Sequence, residues 1–225
     1  MIDDEDNGVP IRGRNTNQRS KRKKSEITHG KLCRATARLL DKKPLRAIKI
    51  ADITNTAAVA PSTFYIYFAD VEEAVLAAIA EIEKELPKIE LIVLNLTPEN
   101  LEREIKIFVK KYIEFWDEHF AILRTRNLAA DEGEPRFREA RARMLAPTLD
   151  ALEKKVDELR GSDLLASKVE SGAVAALIMG LMERLAAIVR IQPATSYLTR
   201  RKLIDASVFM ICGFIRPTAS NTDLS

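Results

Sequence analysis

The sequence predicts an all-α protein. Apolar residues recur at spacings of three and four along most of the chain, which is the period of an amphipathic helix. No segment shows the clear alternation of apolar and polar residues that predicts a strand, and glycine-rich turns are absent from the sequence. A chain of 225 residues that is 46% hydrophobic and 31% charged has the composition of one or two globular domains.

Charge is distributed unevenly along the chain. Residues 1 to 8 carry four acidic side chains, whereas residues 9 to 69 carry fourteen Lys or Arg against three acidic residues. Residues 70 to 225 carry 22 basic and 26 acidic side chains. A basic end on a mildly acidic body is typical of a module that binds a polyanion and is joined to a second domain. A basic tail that only improves solubility is the alternative.

Residues 1–24 are predicted to be a disordered basic arm. They are polar, lack periodicity and end in the run RGRNTNQRSKRKK. Helical periodicity starts at Ser25, a favourable N-cap, and is interrupted at Pro44. The arm either follows a DNA backbone or minor groove, where arginine is favoured, or is a solvated tail.

Three more helices are predicted up to residue 86. The first covers Ile50 to Ala57, and the next begins at Pro61, because proline suits the first turn of a helix. Asp70 then caps a helix from Val71 to about Leu86. Four helices with a short connection between the second and third form the layout of a helix-turn-helix DNA-binding unit, which we place at residues 25–86.

The segment PSTFYIYF, residues 61–68, contains four aromatic side chains. On a helical wheel Phe64 and Phe68 share one apolar side, while Tyr65 and Tyr67 lie on the flanks. The outward side holds small or β-branched residues, namely Ser62, Thr63 and Ile66. A helix in the major groove needs this arrangement of apolar anchors, small base-facing side chains and flanking phosphate donors. An amphipathic helix whose tyrosines pack on their neighbours is the alternative interpretation.

The motifs Asp52-Ile53-Thr54, Ala58-Val59-Ala60 and Tyr65-Ile66-Tyr67-Phe68 follow one another, with an acidic and apolar helix after them. This order resembles the tetracycline-repressor (TetR) family of bacterial transcription regulators. Its pattern has Asp-Ile-Ala, a turn like Gly-Val-Ser, and a recognition helix that ends in Tyr-x-x-Phe. Two residues depart from it: Ala58 replaces the turn glycine, and Val71 replaces a lysine that often meets a phosphate.

The resemblance implies DNA-binding roles for a set of residues around the recognition helix: Lys49, Pro61, Ser62, Thr63, Tyr65, Ile66 and Tyr67. Bases would be faced by Pro61, Ser62 and Ile66. Phosphates would be faced by Thr63, Tyr65 and Tyr67. Lys49 stands where the family often has a Ser or Thr cap, and it is expected to supply a further phosphate contact.

Residues 87–217 are predicted to form a helical regulatory and dimerisation domain, followed by a flexible tail at residues 218–225. The expected helices run from Pro98 to about Leu128, from Pro135 to about Arg160 with a kink at Pro147, from Asp163 to about Arg190, and from Thr199 to Ile215. In the family the last two long helices form a four-helix dimer interface. The corresponding faces contain Leu165, Val169, Ala173, Ala176, Gly180 and the stretch from Leu203 to Phe214.

The interface assignment also has support from the residues themselves. Gly172, Ala176 and Gly180 recur every four positions, and small residues at this spacing let a second helix approach closely. Packing inside the subunit is the alternative. A symmetric homodimer would present two recognition helices to a pseudo-palindromic operator in double-stranded DNA.

Aromatic and methionine side chains are candidates for the lining of an effector cavity, and they are Tyr112, Phe115, Trp116, Phe120, Met144, Met179 and Met182. Ordinary core packing is the alternative for each of them. The arginine-rich segment from Arg124 to Arg143 is interpreted as a solvated face paired with neighbouring acids. Contact with an anionic ligand, such as an acyl thioester of coenzyme A, is a second hypothesis for it.

An enzyme is not predicted. His29 and His119 are isolated in sequence, and the chain shows neither a phosphate-binding glycine loop nor a nucleophile elbow, so no metal or cofactor is expected. Cys33 and Cys212 suit a reducing cytosol. The longest apolar run, Ser171 to Met182, is too short to span a bilayer, so we expect a cytoplasmic protein without a membrane segment.

These observations predict a dimeric transcriptional regulator, a repressor that a small-molecule ligand releases from its operator. An all-α protein-binding adaptor with a basic tail and a ligand-independent DNA-binding regulator are the alternatives.

Overall fold

A computed structural model of the chain describes residues 13–161, 169–191 and 199–216. Across these residues the fold is all-α, as predicted: ten α-helices and one 3₁₀ helix are present, without a β-strand. The chain divides into two compact units, Met1–Ala78 and Ile79–Ser225. The boundary between the units falls inside the fourth helix, Val71–Glu83.

The elements of the N-terminal unit are α1 (Gly13–Leu40), the 3₁₀ helix Leu45–Ala47, α2 (Ile50–Ala57), α3 (Pro61–Phe64) and the beginning of α4 (Val71–Glu83). The start of α1 at Gly13 corrects the expectation of disorder up to residue 24. Residues 13–24 lack apolar residues, so periodicity gives no signal there. Their Arg, Lys and Gln residues are nevertheless good helix formers, and a helix already formed extends at little cost.

The core of the N-terminal unit is built from α1, α2, α3 and α4. Its buried apolar side chains include Leu32, Cys33, Ala35, Ile53, Phe64, Phe68, Ala74 and Val75. The first turn of α4 is capped by side chains: Oδ1 of Asp70 accepts a hydrogen bond from the Glu73 amide at 2.6 Å, and a Glu73 carboxylate oxygen accepts one from the Ala69 amide. The predicted cap at Asp70 is therefore confirmed.

The C-terminal unit continues with α5 (Pro87–Leu94), α6 (Leu101–Glu118), α7 (Phe120–Asp131), α8 (Pro135–Arg160), α9 (Ser171–Ile191) and α10 (Arg200–Ile215). The sequence did not predict α5. The single helix expected from Pro98 to Leu128 is wrong, because the backbone of His119 leaves the helical region (φ −113°, ψ 21°) and separates α6 from α7.

α8 runs through Pro147 as one helix. It ends at Gly161, whose backbone (φ 58°, ψ −142°) is readily adopted only by glycine. α8 packs on α5, α7 and α9, and α6 packs on α5, α9 and α10. The expected cap Asp163, the expected interface residue Leu165 and the tail at residues 218–225 lie outside the described residues.

α9 is long and apolar enough to cross a membrane, judged by length and composition alone. Nearly half of this helix is buried against other helices of its unit, and α6, α8 and α10 are its neighbours. A core helix of a soluble domain meets the same criteria, so the finding is weak evidence for a membrane span.

Candidate nucleic-acid interface and effector cavity

The turn between α2 and α3 depends on Ala58. This residue has a left-handed backbone (φ 54°, ψ 50°), and the amides at positions 58 and 59 donate hydrogen bonds to the carbonyl oxygens of Asn55 and Thr54. These bonds close the C-terminus of α2. Alanine thus adopts the conformation for which the turn would favour glycine, and the chain turns into α3 in spite of the substitution.

Two buried phenylalanines hold α3 and the turn after it in the core, and the opposite side of this segment is exposed. Phe64 and Phe68 are buried, as the wheel predicts, whereas Ile66 is 76% exposed and Tyr65 is 64% exposed. Regular helix ends at Phe64, but hydrogen bonds from the amides of Tyr67 and Phe68 to the Phe64 carbonyl oxygen hold the next turn. Among the other candidates, Lys49, Pro61 and Ser62 are exposed and Thr63 is half-buried.

Tyr67 has a partner that the sequence did not reveal. Its hydroxyl group is hydrogen-bonded to Oγ of Ser25 on α1 at 3.2 Å, and its ring lies edge-on to the ring of His29, with centroids 6.0 Å apart. Tyr65, in contrast, extends into solvent. The two flanking tyrosines are therefore in different environments, and Tyr67 connects the segment of residues 61–68 to α1.

The first turn of α2 is organised around Asp52. Oδ2 of Asp52 accepts a hydrogen bond from the Lys49 amide at 2.8 Å and a salt-bridged one from Nζ of Lys43 at 2.5 Å. The hydrogen bond from Lys43 is the main cause that holds the pKa of this carboxyl group below its usual value. Lys43 is thereby paired, whereas Lys49 remains exposed.

α1 adds a basic surface to this unit. Its exposed cationic side chains are Arg19, Lys21, Arg22, Lys23, Lys24, Lys31, Arg34 and Arg38. Arg22 is paired with Glu26 at 3.2 Å. Such a concentration of positive charge attracts a polyanion.

The C-terminal unit contains a narrow cavity of about 10 Å³ between α6, α7, α8 and α9. Five of the seven predicted effector residues line it: Tyr112, Phe115, Trp116, Met144 and Met179. The other two are not part of its lining. Phe120 packs under the guanidinium group of Arg190, 5.1 Å from the ring centroid, and Met182 is fully buried in the core.

Arg126 also lines this cavity, which corrects its assignment to a solvated face. It is only 1% exposed. Its Nη2 lies 2.7 Å from Oε1 of Glu183 on α9, and Nε and Nη2 donate to Oδ1 of Asn127. The other oxygen of Glu183 accepts from Arg141 on α8. Burial lowers the pKa of Arg126, and Glu183 opposes this shift; an arginine remains charged in either case.

The solvated-face interpretation holds for other arginines of the segment. Arg136 pairs with Glu134 at 3.2 Å, and Arg143 pairs with Glu83 at 3.2 Å. Arg126 could not be distinguished from them in sequence, because its partner Glu183 is remote along the chain. Only helix packing brings these two charges together.

His119 also has close neighbours that its isolation in sequence did not predict. Its Nε2 lies 3.2 Å from a carboxylate oxygen of Glu85, and potential ligand atoms of His119, Glu85 and Glu118 all lie within 4.8 Å of one another. The three residues meet because α6 ends beside the turn that follows α4.

Apolar side chains remain exposed on α9 and α10. Leu177, Met210 and Phe209 are exposed, and Phe209 reaches 82%. The small or apolar residues Val169, Ala173, Ala176 and Gly180 are exposed as well. Gly172 differs from the predicted pattern, because a Cβ atom there would lie 3.1 Å from a Glu153 carboxylate oxygen inside the unit.

Known proteins resemble this chain in sequence pattern and in fold. Residues 102–203 match the family model for the tetracyclin repressor-like C-terminal domain. No curated protein matches the chain significantly. A solved structure of a proposed TetR-family transcriptional regulator from Mesorhizobium loti has a TM-score of 0.62 at 17% identity, covering 84% of this chain and 96% of that one.

Two further structures give the same result. A proposed transcriptional regulator from Pseudomonas aeruginosa has a TM-score of 0.65 at 14% identity, covering 82% of this chain and 88% of that one. A TetR-family regulator from Streptomyces coelicolor has a TM-score of 0.62 at 15% identity, covering 84% of this chain and 80% of that one. At these identities the likeness establishes the fold, and the family-model match adds the C-terminal domain. The chain therefore has the fold of these regulator structures, and residues 102–203 match the tetracyclin repressor-like C-terminal domain.

Proposed function

We propose that this protein is a dimeric, cytoplasmic repressor that binds a pseudo-palindromic operator and leaves it when a small molecule occupies the C-terminal unit. The observation that carries the proposal is the outward side of α3. There Ser62, Tyr65 and Ile66 are exposed, while Phe64 and Phe68 anchor the segment in the core. The exposed side chain of Ile66 is apolar, and it can pack on a thymine methyl group in the major groove.

Each candidate residue has a defined task in this proposal. Pro61, Ser62 and Ile66 face base edges, and Thr63 and Tyr65 donate to phosphates on either side of the groove. Lys49 contributes a further phosphate contact at the start of α2, and the basic residues of α1 add non-specific attraction. Tyr67 reaches a phosphate only by giving up its hydrogen bond to Ser25, so its contribution is smaller.

The dimer in this proposal uses the exposed faces of α9 and α10. Phe209, Met210 and Leu177 would be removed from water by a second copy of the chain, and Ala176 and Gly180 would allow close helix approach. The two copies then present two recognition helices to the half-sites of one operator.

Release of DNA requires that ligand and operator favour different conformations of the dimer. The aromatic and methionine-lined cavity is the proposed ligand site, because apolar walls with a few polar groups are typical of small-molecule pockets. A ligand that binds both conformations equally would not release the operator, however tightly it binds.

The proposal is tested by fluorescence anisotropy of the full-length protein with DNA from beside its own gene and with random DNA. We expect specific, salt-sensitive binding to the former. Tyr65→Phe is expected to weaken specific binding about ten-fold, because it removes one hydrogen bond to a charged phosphate. Tyr67→Phe is the matched control and is expected to weaken it about three-fold or less.

Equal affinity for random DNA and the neighbouring DNA would contradict the proposed repressor and favour the adaptor. Specific DNA binding that no compound changes would favour the ligand-independent regulator. A larger loss of affinity in Tyr67→Phe than in Tyr65→Phe would contradict the assignment of the main phosphate contact to the hydroxyl group of Tyr65.

A further inference from the structure

The three nitrogen atoms of the Arg126 guanidinium group donate to hydrogen-bond acceptors of unequal strength in the cavity wall. Nε and Nη2 donate to the oxygens of Asn127 and Glu183. The partner of Nη1 among the described residues is the sulfur atom of Met144, which also lines the cavity. A thioether is a weak hydrogen-bond acceptor, whereas the oxygens on the opposite side of the guanidinium group are strong ones.

A buried cationic donor with a weak acceptor is energetically poor, because burial has removed the water that would otherwise accept its hydrogen bond. Glu183 does not remedy this, because it contacts Nη2 and is shared with Arg141. The side of the guanidinium group that carries Nη1 is therefore where an additional oxygen acceptor would be stabilised most.

The surroundings limit what else a ligand can contain. Tyr112, Phe115, Trp116 and Met179 supply aromatic and thioether walls beside Arg126. Burial, the larger cause, and the charge of Glu183 raise the pKa of Tyr112 above its usual value, so the phenol is neutral. The other polar groups of the lining, the hydroxyl groups of Tyr112 and Thr148 and the indole N–H of Trp116, are uncharged, so a second charge on the ligand would meet no opposite charge there.

Met144 is also the side chain that can make room. The cavity of about 10 Å³ holds no more than about one water molecule, so an organic ligand has to displace part of the wall. Methionine is unbranched and repacks easily. Rotation of Met144 would open space directly in front of Nη1, and the same movement would free this donor.

We propose that the effector is an amphipathic monocarboxylate, an acid with an uncharged aromatic or aliphatic body, whose carboxylate displaces Met144 and accepts a hydrogen bond from Nη1 of Arg126. The inference rests on the proposed effector site and specifies its ligand class. Arg126 keeps its bonds to Glu183 and Asn127, and the body of the acid lies among the aromatic side chains.

Trp116 provides the measurement, because it is the only tryptophan of the chain and lines the cavity. The full-length protein is titrated with phenylacetate and octanoate, and with the matched neutral amides phenylacetamide and octanamide. We expect the acids to change the fluorescence of Trp116 and to bind at least about ten-fold tighter than the amides, because hydrogen bonds between two charged groups are the stronger ones. Equal affinity of acid and amide, or no fluorescence change with any probe at millimolar concentration, would overturn the proposal.

Two variants with opposite expected effects separate binding from folding. Arg126→Lys loses the planar fork and is expected to weaken acid binding about ten-fold without changing amide binding. Met144→Leu conserves volume and removes the competing sulfur, so acid binding is expected to tighten several-fold. Leu152→Met, a buried exchange on the same helix outside the cavity lining, is the control and is expected to change neither the affinity for the acids nor the affinity for the amides. Unchanged acid affinity in Met144→Leu would contradict the proposed displacement even if Arg126→Lys fails to fold.

The DNA titration of each protein without ligand distinguishes this inference from the proposed function. Specific DNA binding without a preference for acids would overturn the ligand class and leave the regulator intact. Acid binding at Trp116 without specific DNA binding would sustain the ligand class and overturn the repressor.

Discussion

At the residue scale, Ala58 shows how the turn between α2 and α3 is made without the glycine that its left-handed backbone favours. The left-handed backbone there has φ 54°, and it costs an L-residue with a Cβ atom more than it costs glycine. The bonds that close α2 hold this conformation in spite of the cost. The turn is thus imposed by its surroundings and not by local preference.

Ala58→Gly is expected to raise the free energy of unfolding by about 0.5–1 kcal/mol, because relief of strain exceeds the entropy that glycine adds to the unfolded chain. Chemical denaturation followed by circular dichroism measures the change. Ala60→Gly is the control: its φ is −68°, so there is no strain to relieve, and destabilisation by about 0.4–1 kcal/mol is expected. Effects of the same sign at both positions would contradict this explanation.

Asp52 predicts a pH dependence. Its pKa is lowered in the folded state, chiefly by the hydrogen bond from Lys43, so its ionised form stabilises the fold above the unfolded value of 3.8. This contribution disappears as the pH falls through the lower, folded-state pKa. Wild type is therefore expected to be more stable than Asp52→Asn at pH 7, and the difference should vanish well below pH 3.8. Urea denaturation across this range tests it, and a constant difference would refute it.

At the element scale, α7, α8 and α9 are joined by one charge cluster, in which Arg126 and Glu183 are buried and Arg141 is half-buried. Arg126 comes from α7, Arg141 from α8, and both contact Glu183 of α9. Packing of apolar faces alone permits small shifts of one helix along another, whereas these hydrogen bonds need a single alignment. The cluster therefore fixes the relative positions of the helices that enclose the cavity.

Glu183→Gln is expected to lower the free energy of unfolding by about 3 kcal/mol, because it leaves the buried charge of Arg126 without its anion. Thermal and urea denaturation provide the measurement. Glu81→Gln is the control, because its ion pair with Lys84 lies at the surface, where a loss of at most about 1 kcal/mol is expected. Comparable losses in both variants would show that the buried cluster has no special role.

At the scale of the whole molecule, the exposed apolar residues of α9 and α10 are the feature that a single chain does not explain. Phe209 is the most exposed large apolar side chain among the described residues, followed by Ile66 of the proposed DNA surface. In the proposed complex, a second copy of the chain would cover Phe209 and DNA would cover Ile66.

Phe209→Lys is expected to destabilise the dimer by about 2 kcal/mol or more, roughly thirty-fold in its dissociation constant, because it places a charge in the proposed apolar interface. Sedimentation velocity at several protein concentrations detects the monomer. Leu128→Lys, at an exposed apolar position of α7, is the control and should leave the dimer intact. A monomeric wild type, or a dimeric Phe209→Lys variant, would contradict the proposed interface.

The sequence by itself determined the helical class, the helix-turn-helix motif and the inward orientation of Phe64 and Phe68. These features are local: they depend on helical periodicity, on caps such as Asp70 and on the position of Pro61. The same local signals located five of the residues that line the cavity, because Tyr112, Phe115 and Trp116 lie on one apolar face of α6.

Only the tertiary structure decided which polar groups meet. The bond of Arg126 to Glu183, the contact between Tyr67 and Ser25 and the contact between His119 and Glu85 all join residues that are distant in the chain. A polar side chain has the same sequence context whether it ends in water or in the core, and its partner is chosen when helices pack. Periodicity therefore predicted most of the helices of this protein, and the packing of those helices placed the charge of Arg126 at the cavity.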